Sequence, residues 1–319
     1  MDVTSFSRRS KMFLGTNADE TCVLYGTEQG FKIYDVETSR LLVERDIEPI
    51  SFVQMYKRSN FLVFLGNDKK KLVVWDDKSQ KKLAEIVFTK PVVKAEFGDK
   101  EILVATLEKV YIYSSGELQL LKSFGTTQNP YGALSCNIDR AQRVFAFPGL
   151  KQGYVHILRN GISLYIKAHL KTLRVLRLNR EGSLLATASE GGTTIRVFDT
   201  KTGEKVANFS RGASEAVINN ISWSFDSKLL CVSSSRGTTH IFRVGNGVHS
   251  SVLGYVSETL GNYASSEASF SATRFLHPKG ISLFCGNKMK HFSSDGYVTD
   301  FDMSEQGKIS EMSLLEEFK

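Results

Sequence analysis

Three groups of residues in this 319-residue chain have the types needed for chemistry. The first comprises Asp35, Asp76 and Asp199, each closing a β-rich run directly after an aromatic residue. Paired carboxylates can do general acid–base work, but these recur at a repeat period, which marks them as strand-end turn formers. The second comprises Cys22, Cys136, Cys231 and Cys285, far apart and without a C-x-x-C pair, so neither a zinc site nor a disulfide framework is expected. The third is a linker, Phe209-Ser210-Arg211-Gly212, joining two copies of one pattern within residues 167–243. Its arginine is a planar, permanently charged fork suited to phosphate or carboxylate. Nucleophile-elbow, G-x-x-x-x-G-K and zinc signatures are missing from the sequence, so no enzyme, cofactor or metal is expected.

The elements that position these residues repeat. GTEQGFKIYDVETSRLL ends a strand at Asp35, NDKKKLVVWDDKSQKKLAEI at Asp76 and GGTTIRVFDTKTGEKVANF at Asp199, and weaker copies end at Ser114, Arg159, Arg243 and Asp302. Successive marks lie 41, 38, 45, 40, 44 and 59 residues apart. A four-stranded propeller blade takes about 40 to 45 residues, so seven marks predict an all-β, seven-bladed, WD40-like β-propeller in a single domain over 1–319. The expected blades are 10–46, 48–87, 90–124, 130–167, 171–209, 213–268 and 269–315. LVFLG, EILVAT, RVFAF, SLLATAS, KLLCVSS and ISLFCG each read as the second strand of a blade. Two closures of the ring stay open: a last blade made wholly of the C-terminal segment, or one completed by a strand from residues 10–18.

The surplus in the last interval falls in a loop at about 244–268, which mixes Gly, Ser and Asn with Val252, Leu253, Tyr255 and Val256. A long loop with apolar residues in a compact domain points to contact with something that covers them. The balance of 41 Lys plus Arg against 34 Asp plus Glu, a net +7, permits an anionic partner. The basic residues do not alternate with stacking aromatics, so nucleic acid is not the expected partner. Lys69-Lys70-Lys71 reads as a hairpin loop. With no signal peptide or apolar span apparent, a cytosolic monomer is expected.

The run from Ile166 to Phe242 resembles the PROPPIN family, the phosphoinositide-binding seven-bladed propellers of autophagy that include the WIPI proteins. EQGFKIYD, FAFPGLKQGYVHI and LGNYASSEASFSATRF extend the similarity over nearly the whole chain. The resemblance implies two head-group pockets on the rim, for phosphatidylinositol 3-phosphate or the 3,5-bisphosphate, fed by a Phe-Arg-Arg-Gly linker. Here the linker has Ser210 in place of the first arginine. The implied blade-six pocket holds Arg211, Ser234, Thr238 and His240. The implied blade-five pocket holds Ser189, Thr193, Arg196 and the rim residue His169, and is weakened by Ser210. Each has a plainer reading: the hydroxyls as turn formers, His169 as a structural histidine of the repeat, and His240 as a satisfied buried histidine.

The resemblance further implies a membrane-inserting loop at 244–268 and phosphoinositide-containing membranes as partner. It also implies autophagy lipid-transfer or conjugation proteins bound through the first three blades. Recruitment from the cytosol to pre-autophagosomal, endosomal or vacuolar/lysosomal membranes would follow. The competing reading is a propeller scaffold with reduced or lost phosphoinositide binding, for which Ser210 is the discriminating residue.

Overall fold

The computed structural model describes residues 13–245, 271–302 and 308–315, apart from 140, 276, 278 and 287. Within them lie 28 strands in seven four-stranded sheets, every sheet a meander of consecutive antiparallel strands. The blades are 13–46, 52–87, 92–125, 135–167, 173–210, 218–274 and 280–314. None of the described residues is helical.

Burial explains the composition of the strands. Second strands such as Cys22–Gly26 and Glu101–Thr106 are buried at every residue, because neighbouring blades cover both faces, and they read as continuous apolar runs. Outer strands such as Leu41–Asp46 and Lys81–Val87 alternate half-buried with exposed residues and carry the charges. All seven sequence marks are the last residue of a third strand. Asp35, Asp76 and Asp199 among them form turns. Asp35 Oδ1 accepts hydrogen bonds from Thr38 N at 2.6 Å and Thr38 Oγ1 at 2.9 Å. Asp199 Oδ1 accepts from Lys201 N at 2.7 Å and Thr202 N at 2.8 Å.

Two boundaries differ from the sequence reading. ISLFCG is the first strand of blade seven, Gly280–Cys285, and the second strand is Lys288–Ser293. Ser271–Arg274, expected in blade seven, pairs with Thr238–Arg243 and is the outer strand of blade six. The surplus segment separates a third strand from its own outer strand, so the repeat restarts later than even spacing suggests. Phe13–Thr16 pairs within blade one and Lys308–Leu314 within blade seven, so neither described end lends a strand to the other's sheet. The ring closes by packing instead. Val23, Tyr25, Tyr34 and Val36 form one core with Ile281, Leu283, Phe292 and Val298, and Tyr25 Oη donates to Ser293 O at 2.9 Å.

One device recurs in all seven blades. The hairpin between second and third strands accepts a backbone hydrogen bond from the link that leaves the outer strand, as Gly153 O does from Ala168 N at 2.9 Å and Thr193 O from Arg211 N at 2.9 Å. The approach is close enough to demand glycine. A Cβ on Gly153 (φ +76°) would lie 1.9 Å from His169 O, and one on Gly192 (φ +60°) 1.9 Å from Ala216 O. Hairpins and links are thereby gathered on one face of the ring, with the linker 209–212 among them.

Candidate functional site

Alternation along the outer strand of blade five, Lys205–Ser210, sends its last residues to opposite sides. Phe209 is buried and stacks on Phe242 of blade six, with ring centroids 4.7 Å apart. Asn208 faces the other way, opposite Arg196 of its own blade, and Ser210 continues that side opposite Thr194. Arg211, one residue beyond the strand, returns to the blade-six side.

The Arg211 side chain is only 7% exposed. Its Nε donates to Gly192 O at 2.6 Å and its Nη2 to Ser214 O, which leaves three of the five guanidinium donors. Burial, and after it the charge of Arg236, pull its pKa below the ordinary value. His240 lies half-buried on the third strand of blade six, and burial followed by the charge of Arg211 brings its pKa down to about 4. The charges acting on this pair are thus cationic. Arg236 stands on the hairpin tip and donates to Glu215 O at 3.1 Å, while Arg274 ends the outer strand opposite Thr238. Such a cluster disfavours its own charges and would be relieved by an anion.

Ser234 and Thr238 meet across the mouth of the blade-six hairpin, Oγ to Oγ1 at 2.9 Å, and Ser234 Oγ also donates to Thr238 O at 3.2 Å. The same bond recurs where no pocket is expected. Ser293 Oγ donates to Tyr297 O at 3.1 Å, Thr106 Oγ1 to Lys109 O at 3.2 Å and Thr27 Oγ1 to Gly30 O at 3.2 Å. A hydroxyl at the end of a second strand therefore closes a hairpin first.

Blade five presents a different set of groups. His169 is buried at 5% exposure in the seam rather than standing on the open rim. Its Nε2 shares a 2.9 Å hydrogen bond with Thr187 Oγ1. Burial, then the charge of Arg196, brings its pKa down to about 3, so it is neutral at neutral pH. Arg196 is turned inward, donating from Nε to Asn208 Oδ1 at 3.3 Å and from Nη1 to Ala168 O. Ser189 and Thr193 flank the hairpin and are half-buried. That hairpin is one residue longer than its blade-six counterpart. Register therefore aligns Thr194, not Thr193, with Thr238, and Arg196 with His240.

The sequence reading did not single out Arg236, Arg274, Thr194 or Asn208. Arg236 carried a signal, an arginine two residues after Ser234 in a hairpin, whereas the others depend on strand pairing. The loop residues Val252, Leu253, Tyr255 and Val256 lie outside the described residues.

On the opposite face, first-to-second strand turns surround an axial cavity of about 470 Å³ lined by Glu20, Arg177 and Trp223 among others. The Glu20 carboxylate is already engaged, accepting from Arg177 Nη2 at 2.5 Å and from Ser222 Oγ. These acids and bases tie the blades together across the axis.

Comparison with known proteins gives concordant results. The family profile described as PROPPIN matches residues 11–300. SVP1-like protein 2 of Neurospora crassa is 35% identical over 238 residues, 72% of this chain and 54% of that protein. Autophagy-related protein 18e of Arabidopsis thaliana is 31% identical over 233 residues, 69% of this chain and 62% of that protein. The chain thus spans about half to two thirds of the length of these curated relatives. Crystalline Hsv2 of Kluyveromyces marxianus superposes with a TM-score of 0.79 at 22% identity, covering 95% of this chain and 98% of that one. A complex of KlAtg21 with the coiled coil of AgAtg16 gives 0.76 at 19% identity, covering 95% and 99%. At those identities the structures speak for the fold alone.

Proposed function

The chain belongs to the PROPPIN family, and on that premise we propose that it is a peripheral-membrane adaptor in autophagy. It reads membranes carrying phosphatidylinositol 3-phosphate or the 3,5-bisphosphate, chiefly through blade six. The observation that carries this reading is the convergence of Arg211, Arg236, Arg274 and His240 around the Ser234–Thr238 hairpin, with Arg211 pre-oriented by two backbone carbonyls. A phosphomonoester is close to a dianion and takes charge-assisted bonds from such a fork. Held in place beforehand, the fork loses little entropy on binding.

The blade-five site is the weaker partner. Ser210 can offer one neutral hydrogen bond where the family pattern has an arginine, and Arg196 is held inward. The remaining polar groups are Ser189, Thr193, Thr194 and the Asn208 amide, whose buried Nδ2 has no hydrogen-bond partner. A coiled-coil partner of the kind bound by KlAtg21 fits the adaptor role.

Vesicle co-sedimentation tests the reading, with phosphatidylinositol, its 3-phosphate and its 3,5-bisphosphate compared for the native chain, Arg211→Ala and Ser210→Arg. Expected are binding confined to the phosphorylated lipids, its loss with Arg211→Ala, and its gain with Ser210→Arg. Absence of selective binding by the native chain would instead favour the scaffold reading, for which Ser210 is the supporting observation.

A further inference from the structure

The hairpin-and-link face carries two leucines that the head-group sites do not use. Leu150 is 75% exposed at the tip of the blade-four hairpin, and Leu170 is 74% exposed in the link from blade four to blade five. Each is followed by a lysine, Lys151 and Lys171. These two segments are held together. Gly153 O accepts from Ala168 N at 2.9 Å and His169 N at 3.0 Å, and Gln152 Nε2 donates to Thr172 Oγ1 at 3.4 Å. Both tips therefore rise from one braced platform directly beside the blade-five site. Neither 149–153 nor 167–172 contains a carboxylate, while the two segments together hold Lys151, Lys167 and Lys171. The acids beside them are Glu215, which pairs with Lys171, and Glu190, whose backbone N–H donates to Thr172 O at 2.9 Å.

From this arrangement we infer that Leu150 and Leu170 are a paired membrane anchor, entering the head-group boundary of an anionic bilayer while the lysines bind its phosphates. A protein interface needs about 800 Å² on each side with an apolar centre, and two leucines on separate turns provide far less. A bilayer surface accepts isolated apolar tips, and neighbouring cations add attraction to anionic lipid. Because the platform is braced, insertion orders little additional chain. The inference rests on the membrane-docking reading above and deepens it. It gives the disc a contact on the blade-four and blade-five side, next to the head-group site that Ser210 weakens, so apolar insertion there substitutes for a missing charge.

The test places a fluorophore at each tip, using Leu150→Trp and Leu170→Trp with vesicles of bromine-labelled phosphatidylcholine and phosphatidylserine, with and without phosphatidylinositol 3-phosphate. The native Trp223 ends a strand on the opposite face, Trp75 lies one residue before such an end, and both serve as the unquenched control. The expected result is quenching of the added tryptophan in bound protein and none in the native chain. In parallel, Leu150→Ser with Leu170→Ser should weaken vesicle binding about tenfold, while Leu42→Ser on an outer strand leaves it unchanged. Bound protein without quenching, together with native-like binding by the double variant, overturns the anchor and leaves the head-group reading standing. Equal quenching on vesicles with and without the 3-phosphate supports the anchor and counts against head-group selectivity. Failure to bind either vesicle overturns both.

Discussion

Blades five and six have the same architecture on the same face, and their strands correspond once the extra residue of the blade-five hairpin is allowed for, yet one gathers cations and the other does not. Arg211 in the link before blade six corresponds to Ala168 before blade five, since each donates its backbone N–H to the preceding hairpin. Arg274 at the end of one outer strand corresponds to Ser210 at the end of the other, opposite Thr238 and Thr194. His240, left neutral at neutral pH by a pKa of about 4, corresponds to Arg196, and only there does blade five carry the cation, which it directs to the Ala168 carbonyl. The scaffold thus offers equivalent positions, and side-chain identity decides which become an anion site. An internal repeat allows that divergence because each sheet is held by its own ladder and by packing against its neighbours, neither of which needs the rim charges.

The harshest way to break the comparison is to remove what both sites share. Phe209 is fully buried between the blades and fixes the strand that supplies Ser210 to one side and Arg211 to the other. Phe209→Ala should cost about 3 to 5 kcal/mol in denaturant unfolding, with both sites lost together. Next comes Arg211→Ala, which removes a charged contact worth about 1.5 to 3 kcal/mol and should weaken binding to 3-phosphoinositide vesicles roughly 10 to 150-fold. Arg196→Ala should change that affinity far less, because the blade-five site has Ser210 where the family pattern has an arginine. Equal losses from the two would mean that the sites are equivalent after all.

Ser210→Arg sharpens the contrast from the other direction. The new side chain faces blade five and should tighten vesicle binding about tenfold, with two head groups bound per chain in calorimetry. Proton linkage gives a fourth comparison. His169 and His240 have folded-state pKa values of about 3 and about 4, below the unfolded value near 6.5. As pH falls below about 6.5 the unfolded chain takes up protons that the folded chain refuses, so stability present at neutral pH declines toward pH 4. The slope is at most about 1.4 kcal/mol per pH unit per histidine. Urea midpoints across this range should fall, and His169→Asn should flatten the slope more than His240→Asn, because His240 is half exposed.

The smallest effect concerns the hydroxyls. Ser234→Ala and Ser293→Ala each remove a hydroxyl that makes two hairpin bonds and should cost about 1 to 2 kcal/mol alike. A lipid-affinity loss confined to Ser234→Ala would show that its hydroxyl contacts the head group beyond closing the turn.

Much of the fold was legible because propeller repeats are local. Each blade is a contiguous meander whose third strand ends in a turn former or an exposed polar residue, so the spacing of Asp35, Asp76 and Asp199 already counted blades. The reading slipped at Ile281–Gly286, where the long segment before Ser271 displaced the register that even spacing assumed. The candidate site was legible in part for the same reason. Arg211, Ser234, Thr238 and His240 fall within two neighbouring copies of the repeat, and a linker arginine has no structural role in the repeat pattern.

Sequence by itself determined the blade count, the end of every third strand and the substitution of Ser210 in the linker, because all three depend on neighbours along the chain. Tertiary structure decided how the ring closes, that His169 is buried, that Arg196 turns toward Ala168, that Arg236 acts on Arg211, and that Arg274 stands opposite Thr238. Those outcomes depend on pairing register and on packing between blades, where residues tens to hundreds of positions apart meet. Burial and charge at such meetings belong to the assembled sheets, and no single segment carries them.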